Sequence, residues 1–187
     1  VHAIPHDLTD VDARVRGHAA HAVGEVHRIA PEVVGEARAP DGRIEFTRKV
    51  TALRTAHPVF RRRRFFDGRP TGNGHHMRDI YWLTRDGVAM TSGDWHSGVK
   101  SVAVGLNGEA LQEPDARGER IVDDSFLLCF NAHAYPVDFV MPDGPYAKEW
   151  KAVIDTFHPR GDADMRVAPG TTNTVQGRSV LVLQRTA

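Results

Sequence analysis

The chain has 187 residues, 41% of them hydrophobic, enough for one good core and a small appendage. Lysine plus arginine and aspartate plus glutamate are equal at 24 each, so no net field draws nucleic acid or anionic lipid, and neither nucleic acid nor membrane is an expected partner. A single cysteine, Cys129, excludes an internal disulfide, and no apolar run approaches the roughly 20 residues that a membrane helix requires.

The first residues show no signal-peptide pattern, and a cytoplasmic protein is expected. The chain starts at Val1 rather than methionine, which reads as a piece of something longer. Residues 1–40 contain no Phe, Tyr, Trp, Lys, Ser, Asn, Gln, Met or Cys, yet hold five of the eleven histidines, at His2, His6, His18, His21 and His27. So narrow a set has little with which to build a core. One amphipathic helix is predicted, with Thr9 as cap, Asp12 three residues on, and Val11, Val15, His18, Ala22, Val26 and Ile29 at helical spacing before Pro31. His18 and His21 would share a helix face, but no cysteine or tight carboxylate cluster completes a metal-ligand set.

A second helix is predicted from Asp41 to His57, where Asp41 can cap, Phe46, Val50 and Leu53 form an apolar stripe, and Pro58 ends the run. Residues 59–66, VFRRRRFF, read as an edge strand whose arginines are solvated or ion-paired rather than a phosphate patch. Glycines and proline mark residues 67–76 as a loop, with His75 and His76 as loop polarity.

From Asp79 the punctuation is that of an all-β domain. DIYWL is a strand, residues 85–87 a turn, residues 91–95 a loop, and SVAVGLNG a strand ending in an Asn107-Gly108 dipeptide suited to a tight hairpin. In residues 125–132 Phe126, Leu128 and Phe130 share one face while Leu127 and Cys129 share the other, which describes a central strand covered on both sides. Val137, Phe139 and Val140 resume after a turn, so the simplest pairing is an antiparallel hairpin. WKAVID and RSVLVLQR supply two further strands. The whole reads as a sandwich or barrel.

The runs IEFTRKVTALRTAHPVFRRRRFFDGRP, RDIYWLTRDGVAMTSGDW, LNGEA, RGERIVDDSFLLCFNAH and VQGRSVLVLQ resemble the carboxy-terminal part of bacterial isoamylase-type glycogen debranching enzymes, members of the α-amylase superfamily. The resemblance covers about Ile44 to Thr186. It implies a mainly β fold: a C-terminal antiparallel β-sandwich over residues 59–187, preceded by one or two helices, of which residues 41–58 would be the last helix of a (β/α)8 catalytic barrel. It also implies a parent enzyme that hydrolyses α-1,6 branch linkages in glycogen or limit dextrin, with α-glucan as its partner. The barrel strands that bear the family's nucleophile and acid/base have no counterpart in the sequence. Residues 1–40 do not resemble the expected barrel and have the composition of a GC-rich region read in a shifted frame, so a non-native segment is expected, arising from a broken or truncated gene or from an assembly error in the sequence.

Retaining glycosidases need two carboxyl groups roughly 5–5.5 Å apart. Asp123 and Asp124 are adjacent, and neighbours at the start of a strand point to opposite faces. They read as a polar approach to the strand. Cys129 lies in an apolar run, and no nucleophile elbow, dinucleotide or P-loop pattern occurs. No catalytic residue, cofactor or metal is expected, and the chain reads as a structural, non-catalytic part of the enzyme. The alternative is a stand-alone glucan-binding or interaction module, for which Trp82, Trp95 and Trp150, with Asp94 beside one of them, are the candidate sugar contacts. A barrel-facing surface left bare would favour self-association.

Overall fold

The computed structural model describes residues 40–69, 78–143 and 149–186, with Pro40 and Asp41 described by backbone alone. The helix expected near Thr9, the N-terminal histidines, the His75–His76 pair and the reading of residues 1–40 as non-native lie outside the described residues, as does the side chain of Asp41 and with it the cap expected there.

The described chain begins with a helix, Pro40–Ala56. Proline lacks an N–H and disfavours helical backbone in the residue before it, so the helix gives way at His57, which is extended, to a single 3-10 turn, Pro58–Arg61. Phe46 and Leu53 pack on the core as expected, whereas Val50 is 39% exposed. Lys49, at i+3 from Phe46, is half-buried on the same face, and its Nζ reaches Asp162 at 2.6 Å.

Six strands form one antiparallel sheet in the order β1 (Ile80–Leu83), β2 (Ser101–Leu106), β3 (Phe126–Asn131), β8 (Ser179–Arg185), β5 (Trp150–Asp155) and β6 (Arg166–Val167). A second sheet pairs β4 (Val137–Val140) with β7 (Thr172–Val175). One core lies between the sheets, where Leu127, Cys129, Trp150 and Leu183 meet Val137, Phe139 and Val175. Another lies on the outer face of the large sheet, where Val104, Phe126 and Val182 meet Phe46, Leu53, Val59 and Phe60. The mainly β, two-sheet architecture is the one expected, and β3 is central as expected, but its outer face is covered only at the Phe126 end, since Phe130 is exposed.

Four local expectations need correction. β3 and β4 do not form a hairpin, because β4 pairs with β7 in the other sheet. Asn131, at the end of β3, spreads its amide over the carbonyls of Tyr135, Val175 and Gln176 at 2.9–3.0 Å, so the chain is held across to the second sheet instead of turning back. Asn107 and Gly108 do not make a tight hairpin either. Asn107 caps a 3-10 turn, Gly108–Ala110, and the carbonyls of Asp123 and Asp124 occupy the space a Cβ at position 108 would need.

Residues 59–66 are not an edge strand. Their amides are taken by carboxylates rather than a ladder: Asp123 accepts from Val59 at 2.8 Å, and Glu113 accepts from Arg63 and Arg64. Of the four arginines Arg62 is buried against Asp79, Nη2 to Oδ2 3.0 Å. Residues 91–95, expected as a loop, contain the start of a short helix, Ser92–His96.

Candidate functional site

Strand alternation along β1 sends Tyr81 and Leu83 inward and Trp82 outward. β1 is an edge of the large sheet, and it pairs with β2 so that Trp82 stands opposite Val104 and Tyr81 opposite Gly105. The Tyr81 ring lies where a Cβ on Gly105 would be, which seats the edge strand tightly. After the turn at residues 84–87 the chain folds back along β1: Leu83 bridges Ala89, Thr84 N–H donates to Val88 at 2.8 Å, and Met90 N–H donates to the Trp82 carbonyl at 2.9 Å.

That return places the helix Ser92–His96 beside Trp82. Its start is a capping box: the Thr91 hydroxyl accepts from the Asp94 N–H, and the Asp94 carboxylate accepts from the Thr91 N–H at 2.7 Å. The Thr91 backbone donor, followed by its hydroxyl, holds the Asp94 carboxyl below the usual aspartate range. Asp94 is therefore committed to the cap. Trp95, next in the helix, reaches Trp82 with ring centroids 5.3 Å apart and planes at 74°. The two indoles are 41% and 53% exposed. Arg78, Ile80, Met90 and Asp143 line the same recess, of about 760 Å³.

Of the four sequence candidates, Trp82 and Trp95 come together and Asp94 supports one of them. Trp150 does not belong with them. It is 0% exposed in the core between the sheets, because alternation along β5 turns it inward with Ala152, and it cannot touch a ligand from there. Arg78 and Asp143 escaped the sequence reading, since nothing in their local sequence marks either as facing the tryptophan pair.

A second cluster joins His57, Asp123 and Asp124, whose polar atoms lie within 4.8 Å of one another. The two carboxylates do converge, contrary to expectation, because β3 starts only at Phe126 and strand alternation does not govern residues 123–124. Asp123 is engaged through both oxygens, however. Its Oδ1 takes His57 Nδ1 and the Asp124 N–H, both at 2.8 Å, and its Oδ2 takes the Val59 N–H. Asp124 accepts from Gln184 at 2.7 Å and stands 3.8 Å from His57. A cation would have to displace these bonds, which tie the end of the helix to the approach to β3. The cluster reads as a clasp.

Residues 79–185 match the family model described as isoamylase, C-terminal. The chain belongs to the isoamylase C-terminal family. Proteins similar to it include the glycogen operon protein GlgX homolog of Mycobacterium tuberculosis (strain ATCC 25618 / H37Rv), 56% identical over 144 residues, which are 76% of this chain and 20% of that protein. The isoamylase of Pseudomonas amyloderamosa is 24% identical over 133 residues, 71% of this chain and 15% of its own length. The glycogen debranching enzyme of Klebsiella pneumoniae (strain 342) is 29% identical over 116 residues, 62% of this chain and 14% of its own length. The chain thus spans a fifth or less of these relatives. In isoamylase C-terminal terms the family match begins at Asp79, the buried carboxylate that accepts from Arg62, Asp67, Gly68 and Ile80.

Proposed function

We propose that the chain serves as the C-terminal, non-catalytic domain of a glycogen debranching enzyme, whose remaining part hydrolyses α-1,6 branch linkages. The observation that carries this reading is the 56% identity over 144 residues to a glycogen operon protein of which those residues are 20%. The geometry is in keeping with it. The buried carboxylates Asp79 and Asp123 are occupied by backbone and side-chain donors, so neither is available as nucleophile or acid. The helix Pro40–Ala56 is then the last helix of a catalytic barrel, and the sandwich is a buttress packed beside it. A cytoplasmic location goes with the glycogen operon relative. Among the described residues no helix is long and apolar enough to cross a membrane. A stand-alone module draws no support from relatives that extend far beyond the matched stretch.

The test is complementation. The purified chain releases no reducing ends from branched glucan or limit dextrin. Added to the catalytic part of the M. tuberculosis relative produced without its matching 144 residues, it raises that part's melting temperature and debranching rate. Debranching by the chain alone that survives purification, or a catalytic part indifferent to it, would sink the reading.

A further inference from the structure

We propose that Trp82 and Trp95, with Arg78 and Asp143, form a platform that binds an α-linked glucan chain; the choice of glucan rests on the debranching-enzyme reading above. Two indoles left half in water and side by side concentrate exposed apolar surface at one place. They are also held there: Trp82 by the β1–β2 ladder and Trp95 by a capped helix that the chain lays back along β1. A site that keeps its shape when empty loses little ordering entropy on binding.

The chemistry fits a sugar better than the other soluble ligands. A pyranose offers C–H faces to an indole and a rim of hydroxyls to polar groups, and this recess supplies both, with one cation in Arg78 and one anion in Asp143. Those two charges balance, so the site has no bias toward phosphate or a carboxylate ligand. The 74° between the rings is in keeping with the choice of an α-linked glucan. A flat β-linked ribbon stacks best on coplanar rings, whereas an α-linked chain turns from one residue to the next and meets two differently inclined surfaces.

The experiment is affinity electrophoresis of the full 187-residue chain in native gels cast with glycogen, with amylopectin, with a soluble β-glucan, or with none. Retardation is expected in the α-glucan gels only, with the apparent affinity roughly tenfold weaker in Trp95→Ala and in Trp82→Ala. Trp95→Ala changes an exposed side chain on a short helix, so it tests the site even if the edge-strand variant folds poorly; Trp95→Tyr should recover most of the binding. Maltoheptaose should perturb the tryptophan emission of the parent chain and leave that of a Trp82→Phe/Trp95→Phe variant, where Trp150 alone remains, unchanged. Absence of retardation, equal retardation by the β-glucan, or retardation that persists in Trp95→Ala would overturn the platform. If instead these variants bind no glucan differently but lose complementation of the catalytic part, the pair is a protein contact. That outcome refutes the platform and leaves the domain assignment standing.

Discussion

Trp150 is fully buried in the core between the two sheets, whereas Trp82, on an edge strand, and Trp95, on a short helix, stand half in water. Trp150→Ala removes a fully buried side chain, at an expected cost of about 3–5 kcal/mol measured by denaturant unfolding, enough to threaten the fold. Cys129 was legible as inert, and burial pushes its thiol up to about 12. It should resist thiol reagents at pH 8 in the native protein and react fully once the chain is unfolded. Glu113 was not legible, because its partners are backbone amides fifty residues earlier. The Arg63 N–H, more than the nearby arginine charges, holds its carboxyl below the ordinary 4.5. A carboxyl lowered by folding stabilises above its unfolded pKa and loses that contribution as pH falls through the folded value. Glu113→Gln should therefore lower the melting temperature at neutral pH and make it less sensitive to acid below about pH 4.5.

At the scale of elements, the apolar strands were read where they stand, but β6 and β7 were missed, residues 59–66 were wrongly read as a strand, and strand partners were read poorly. Residues 80–83, 101–106, 126–131, 150–155 and 179–185 carry apolar periodicity strong enough to be seen locally. Which strand pairs with which was decided by side chains far apart in sequence, above all by Asn131 bonding to carbonyls 44 and 45 residues later. The short helix at Ser92–His96 was missed although Thr91 and Asp94 stand at capping-box spacing, because the glycine between them read as a loop. The edge of the sheet depends on a close approach. With the Tyr81 ring over Gly105, Gly105→Val should push β1 off β2, lower the melting temperature by several degrees and disturb the Trp82–Trp95 pair, which near-ultraviolet circular dichroism would register. A spectrum and melting curve like the parent's would count against this packing.

For the molecule as a whole, the outer face of the large sheet is only partly roofed. Phe46, Leu53 and Phe60 cover Phe126 and Val182, while Phe130 is exposed beside partly buried Val102 and Val180, and Ile44 and Val50 of the helix face water. An isolated chain with that much apolar surface should self-associate at high concentration or bind a hydrophobic dye, checked by sedimentation and dye fluorescence. Monodisperse behaviour without dye binding would show the surface is tolerated. The amides of the irregular stretch before β1 are held by three carboxylates, two of which come from the segment between β2 and β3. Asp123 holds the amide of Val59, Glu113 those of Arg63 and Arg64, and Asp79 those of Asp67 and Gly68. By deuterium uptake this coil should therefore behave like a strand, its amide protons exchanging slowly at neutral pH despite belonging to no ladder, and opening as one unit when a single one of the three acids is replaced.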